Sequence, residues 1–83
     1  MESKVIAEVV ELYADFDKSF KIDLVSDEYI IGSFTRADDY EELKSKDMWR
    51  VIKDANFIKW RSTQNLELTE LLNGALIKNI SII

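Results

Sequence analysis

The chain contains no cysteine, no histidine and no proline, and only two glycines, Gly32 and Gly74, in 83 residues. Without cysteine there is no disulfide, no thiolate nucleophile and no zinc–thiolate site. Without histidine the usual neutral-pH general base, the hydrolytic triads and the commonest transition-metal ligand are missing. Paired carboxylates occur, but any acidic surface supplies those, and no nucleophile–base pair of the usual kind can be assembled. An enzyme is therefore not expected, nor a cofactor or bound metal. No apolar run approaches the ~18 residues of a membrane span. Glu2, Glu8 and Glu11 near the N-terminus are unlike a signal peptide. The expectation is a cytoplasmic protein with no membrane contact. With proline absent and glycine scarce, turns fall to Asp, Asn and Ser.

What is present suffices for a small core: 47% of the residues are apolar and 33% charged, outside the composition of disordered chains. The length fits one domain, 1–83, which buries roughly 60–65% of its unfolded surface and is marginal alone. The net charge is −5.

Residues 3–16 read as a helix. Val5, Val9, Leu12 and Phe16 fall at i, i+4, i+7 and i+11, and Ile6, Val10 and Tyr13 broaden the stripe. Ser3 is a candidate N-cap. After a break at Asp17–Ser19, Phe20, Ile22 and Leu24 alternate with Lys21 and Asp23 as a half-buried strand would. A polar turn at Ser26–Glu28 leads to a second strand, Tyr29–Thr35, and the two form a hairpin. Gly32 inside that strand marks a bend or a close backbone approach. Residues 38–47 form a charged connection. Residues 48–61 fit either a helix stripe (Met48, Val51, Ile52, Ala55, Ile58) or a hairpin around Asp54–Asn56; the aromatic and β-branched content favours strands. Leu66, Leu68 and Leu71 suit a short strand, Asn73-Gly74 a tight turn, and Leu76–Ile82 a final strand. One helix (about 3–16) followed by five short strands (about 19–83) describes a small barrel better than an open sheet, which would expose two edges.

The segment Phe20-x-Ile22-x-Leu24, then Gly32, Phe34 and Asp38, resembles the first motif of the Sm-like (Lsm) family. Leu72-Asn73-Gly74, running into Ile77-x-x-Ile80-x-Ile82, resembles the second. Together they cover about 30 residues, and the stretch between them aligns with nothing in the family pattern. The resemblance implies a strongly bent five-stranded, SH3-like barrel that closes into a homo-oligomeric ring of about five to seven subunits. It also implies single-stranded RNA as the ligand, one nucleotide per subunit. Carried over by position, Asp38 matches the loop Asp, Tyr40 stands at the base-stacking position, Glu42 where the family has Asn, Asn73 where it has Arg, and Gly74 matches. Ionised Glu only accepts hydrogen bonds, whereas Asn also donates, and Asn73 removes a cation and a stacking plane. Six copies at −5 give −30, which opposes nucleic acid unless the charge is segregated.

Some segregation exists. Residues 43–62 carry Lys44, Lys46, Arg50, Lys53, Lys59 and Arg61 against Asp47 and Asp54, while the rest of the chain is strongly acidic. Trp49, Phe57 and Trp60 lie among these cations, as in single-strand binders. The plainer reading makes both tryptophans core or interface anchors and the cations a solvated face. The acidic run Asp38-Asp39-Glu41-Glu42 lacks the spacing of a calcium loop. Two functions follow: a ring that binds single-stranded RNA through altered pockets, or a protein-interaction or structural ring that has lost nucleotide binding.

Overall fold

A computed structural model describes residues 1–13 and 18–83. The elements, in chain order, are α1 (Ser3–Tyr13), β1 (Phe20–Leu24), β2 (Tyr29–Phe34), α2 (Tyr40–Ser45), β3 (Met48–Lys53), α3 (Asp54–Thr63), a 3-10 turn (Leu66–Leu68), β4 (Glu70–Asn73), a second 3-10 turn (Gly74–Leu76) and β5 (Ile77–Ile82). The five strands make one antiparallel sheet in the order β4-β3-β2-β1-β5. The expected closed barrel is corrected here. Among the described residues β4 pairs only with β3 and β5 only with β1, so the sheet is open at both sides and keeps two edges.

Register fixes the two faces, because directly paired residues point the same way. Phe20 pairs with Gly32, Ile22 with Ile30, Phe34 with Val51 and Trp49 with Leu72. This face, with Ile77 from β5, is covered by Ile6, Ala7 and Val10 of α1; Phe20, Ile22, Phe34, Trp49, Val51 and Ile77 are buried in it, and Ile30 and Leu72 are half-buried at its margin. Across it Phe20 packs edge to face with Tyr13 at 5.5 Å and tilted against Phe34 at 5.8 Å. The Met1 ammonium donates to the Ile77 carbonyl at 2.8 Å and ties the start of α1 to β5. On the opposite face the pair Ser33–Ile52 is buried where α3 packs on β2 and β3.

Several expectations change. In α1 the buried residues are Ile6, Ala7 and Val10, with Val9 and Tyr13 half-buried against the same core, whereas Val5 and Leu12 of the expected stripe are exposed. Val5 is 38% and Leu12 61% exposed, and Phe16 lies outside the described residues. Residues 48–61 are neither wholly helix nor a hairpin: 48–53 is a strand and 54–63 a helix. The β-branched Val51-Ile52 pair suits the sheet. Beyond it, Trp60 is buried, with Asn56 and Phe57 half-buried, one turn apart on a single helix face. Leu66 and Leu68 lie in a 3-10 turn capped by the Asn65 side chain, not in a strand, and β4 begins only at Glu70. The charged connection at 38–47 contains the short helix α2.

The scarcity of glycine shows in the turns. The left-handed positions fall on Asp27 (φ 69°), Asp47 (φ 56°) and Gln64 (φ 54°), and Asp tolerates that region better than most residues. Asn73-Gly74 is not a hairpin turn. Neither residue has a positive φ; Asn73 caps the second 3-10 turn, its Oδ1 accepting from the Ala75 N–H at 2.9 Å.

Candidate functional site

The residues carried over from the family motifs are placed by α2 and the two ends of β3. Tyr40 opens α2, and its hydroxyl donates to Glu11 Oε2 of α1 at 2.8 Å; Lys44 Nζ reaches the same oxygen at 3.1 Å. The Tyr40 ring lies 6.3 Å from Trp49, tilted by 60°, with the Arg36 and Lys44 cations 5.7 and 5.9 Å from its centroid. Desolvation first, and then the bond to anionic Glu11, hold the Tyr40 phenol well above its ordinary range. The phenol and the ammonium, both donating to it, hold the Glu11 carboxyl below the usual carboxylate range.

Trp49 is buried, and its indole N–H donates to Asp47 Oδ1 at 2.8 Å. Asp47 in turn accepts the Gly74 N–H on its backbone carbonyl at 2.8 Å. Its carboxylate lies where a Cβ on Gly74 would stand, the carboxyl carbon 2.6 Å from that position. Tyr40 and Asn73-Gly74 are thus brought to one end of β3, joined through Trp49 and Asp47. Glu42 stands apart on the exposed side of α2, paired with Lys46 at 3.2 Å. Asp38 is also apart: it is exposed and lines a cleft of about 470 Å³ with Arg36, Ala37, Asp39, Trp60, Gln64 and Leu66. The five positions therefore do not converge on one pocket.

The basic-aromatic stretch is dispersed as well. Trp49 faces the α1 core, and Trp60 is buried on the other side of the sheet under α3. Among the cations, Lys44 pairs with Glu11, Lys46 with Glu42, Arg50 with Asp39 at 2.7 Å and Lys53 with Glu70 at 3.3 Å. Arg50 also donates to Thr69 Oγ1 at 2.8 Å, so it ties β3 to the start of α2 and to the approach to β4. Arg50 Nε and Asp39 Oδ1 remain buried without partners, a pair engaged on one arm only. Lys59 and Arg61 stand on the exposed side of α3.

Two residues that organise this region, Glu11 and Asp47, were not marked by sequence reasoning. Asp47 had a local signal, standing two residues before Trp49 at the head of a strand; Glu11 had none, since its partners are about 30 positions away. Among the described residues no group of three or more carboxylates is gathered in the manner of a metal site, and no helix is long and apolar enough to cross a membrane.

Two predictions arise here. Gly74→Ala forces the Asp47 carboxylate aside and breaks its bond to Trp49, an overpacking defect of about 1–2 kcal/mol in urea unfolding. Asp47→Ser, which leaves room for the new methyl, should tolerate the alanine much better. For Glu11, the folded-state pKa is depressed, so its contribution to stability is complete above the unfolded carboxylate value and fades as pH falls through the folded one. Carbon-detected NMR should find the Glu11 midpoint below the ordinary glutamate value, and Tyr40→Phe should return it towards that value. An unchanged midpoint in the variant would mean that the Tyr40 bond is not made in solution.

Comparison with protein-family models, with curated proteins and with solved structures finds no match to this chain.

Proposed function

We propose that the chain is an Sm-like subunit that assembles edge to edge into a homo-oligomeric ring acting as a protein-interaction or structural platform rather than as a reader of RNA. The observation that carries this is the pair of open sheet edges. β4 and β5 each leave one side of the strand unpaired. Exposed apolar side chains lie on or beside them: Leu71 at 47%, Ile82 at 52% and Ile83 at 70%. In a monomer, an apolar edge is a template for uncontrolled pairing. Joining β4 of one copy to β5 of the next satisfies the backbone groups and covers these side chains. Because the two edges differ, the contact is head to tail, and repetition closes a ring when the rotation per subunit permits. The helix preceding five antiparallel strands, and a Gly32 pressed against β3, accord with the motif resemblance.

The candidate nucleotide residues weigh against RNA as the ligand. Tyr40 is bonded to Glu11, Glu42 to Lys46, Asn73 to its own turn, and Lys44, Lys46, Arg50 and Lys53 to carboxylates. Native mass measured at low and high salt tests the ring. A species of five to seven subunits that persists in high salt is expected, and Leu71→Asp or Ile82→Asp should reduce it to monomers. A wild-type monomer at micromolar concentration would sink the proposal. An oligoribonucleotide titration tests the platform reading. Salt-dependent binding whose slope falls when Lys46 and Lys59 are reversed to Glu would restore the RNA reading.

A further inference from the structure

We propose that Asn73-Gly74 is a self-modification site. The pair closes to a succinimide, and then opens to aspartate or isoaspartate, when the end of β4 leaves β3. The modification therefore marks copies whose β4 edge has been released. The proposal rests on β3–β4 pairing within one copy and does not depend on the ring.

The chain has four asparagines, followed by Phe57, Leu66, Gly74 and Ile80. At each, the next backbone nitrogen could attack the side-chain amide carbon. Only at Gly74 is that nitrogen unhindered, because glycine carries no Cβ. The reaction needs nothing but water. The Gly74 nitrogen gives its proton to solvent and bonds to Asn73 Cγ. The C–N bond of the side-chain amide breaks, and the nitrogen takes up a proton and leaves as ammonia. Water then opens the cyclic imide at either carbonyl. One opening leaves an ordinary aspartate. The other leaves an isoaspartate, whose backbone runs through the former side chain and is one methylene longer.

The fold requires this pair and also holds it unreacted. Asn73 caps the second 3-10 turn, with its Oδ1 on the Ala75 N–H at 2.9 Å. Gly74 is fixed by space, since the Asp47 carboxyl carbon lies 2.6 Å from where a Cβ would stand. Asn73 is exposed to water, but Gly74 is buried. Its N–H is engaged, donating to the Asp47 carbonyl at 2.8 Å beyond the last register pair, Met48–Asn73. The backbone adds a geometric bar. At a ψ of 127° the Asn73 Cβ is turned well away from the Gly74 nitrogen, whereas the five-membered ring needs the two eclipsed about the Cα–C bond. Reaching that geometry rotates the peptide between residues 73 and 74 and breaks the bond to Asp47. β4 has four residues and, among the described residues, a partner on one side only. A short edge of this kind belongs to the low-stability end of a fold. Its opening is the step that admits the chemistry. The isoaspartyl product cannot reseat, because the added methylene displaces the following amide from the Asp47 carbonyl.

Peptide mass spectrometry on the full chain, incubated at mildly alkaline pH, follows all four asparagines. In urea Asn73 should convert first, and in the folded chain it should convert at least about tenfold more slowly than in urea. Asp47→Gly suits the left-handed backbone at that position and keeps the carbonyl, but removes the carboxylate and its bond to Trp49. It should speed conversion in the folded chain at least about threefold. Ile6→Val weakens the core under α1 and should leave the rate within about twofold of the wild type, because the opening is local. Circular dichroism checks that each variant is folded. A folded rate equal to that in urea, no acceleration in Asp47→Gly, or equal acceleration in Ile6→Val overturns the proposal. The isoaspartyl product, separated by chromatography, should lose hydrogen-exchange protection at the β3–β4 amides while β1–β2 keeps its own; full protection of β3–β4 would overturn the claim that the edge cannot reseat. Native mass is read on the unmodified chain, so a failed ring and a failed modification give different records.

Discussion

Trp49→Ala is expected to cost about 3–5 kcal/mol, most of the stability that a domain of this size possesses. Trp49 is 1% exposed and is among the largest wholly buried side chains. It packs on the face covered by α1, borders Tyr40 and anchors Asp47, which in turn holds Gly74. Alanine leaves a cavity at the junction of β3, β4 and α2 and strands the Asp47 carboxylate, since no other donor is bonded to Oδ1. Urea unfolding followed by circular dichroism measures the loss, and the emission of Trp60 remains as a local probe of α3. Trp49→Phe retains most of the apolar volume and should cost less, about 1–3 kcal/mol, through the unpaired carboxylate and the smaller ring. If Trp49→Ala cost under about 1 kcal/mol, the tryptophan would have to be a surface residue available for stacking on a base.

The second large effect is expected at Gly32. A Cβ there would fall onto the carbonyl oxygen of Ile52, with the Ile52 carbonyl carbon 3.1 Å and Lys53 Cα 3.2 Å away. Those atoms are backbone, so no side chain can swing aside. The strands β2 and β3 must separate at the register pair Gly32–Lys53. Gly32→Ala should therefore cost about 3 kcal/mol, at the upper end of overpacking defects, and Gly32→Val should prevent folding. The φ of Gly32 is not positive, so the constraint is space and not backbone conformation. Hydrogen exchange should show the β2–β3 amides losing protection before those of β1–β5. Equal loss throughout the sheet would mean that the clash is not local.

The alternation of Phe20, Ile22 and Leu24, the polar turn at 26–28 and the return strand from Tyr29 were legible because each signal is contained in a few consecutive residues. The left-handed Asp27 is of the residue class expected at turns in a chain so short of glycine. Gly32 was legible as a close approach, though not its partner. α3 was not legible. Its residues include Phe57, Ile58 and Trp60, which favour strands locally, and it ends at a left-handed Gln64, where helices more often end on glycine. Its helical form comes from packing Trp60 against the far face of the sheet.

The candidate site divides in the same way. Which residues had donors, acceptors, rings or charges was evident from their names. Their use was not: Tyr40 is held by Glu11, 29 positions earlier, and Arg50 by Asp39 and Thr69, 11 and 19 positions away. Partners so far apart are chosen by register and topology.

By itself, the sequence determined that a helix precedes short strands in a chain without thiol or imidazole chemistry, since composition and short-range periodicity are local properties. Only the tertiary structure decided which part of the broad apolar stripe of α1 meets the core, that residues 54–63 cover the second face of the sheet, and that β4 and β5 remain open as edges. Val5 and Leu12 are as apolar as Ile6 and Val10 and differ in where the sheet lies. An edge is defined by the strand that is missing beside it, which no window of sequence contains.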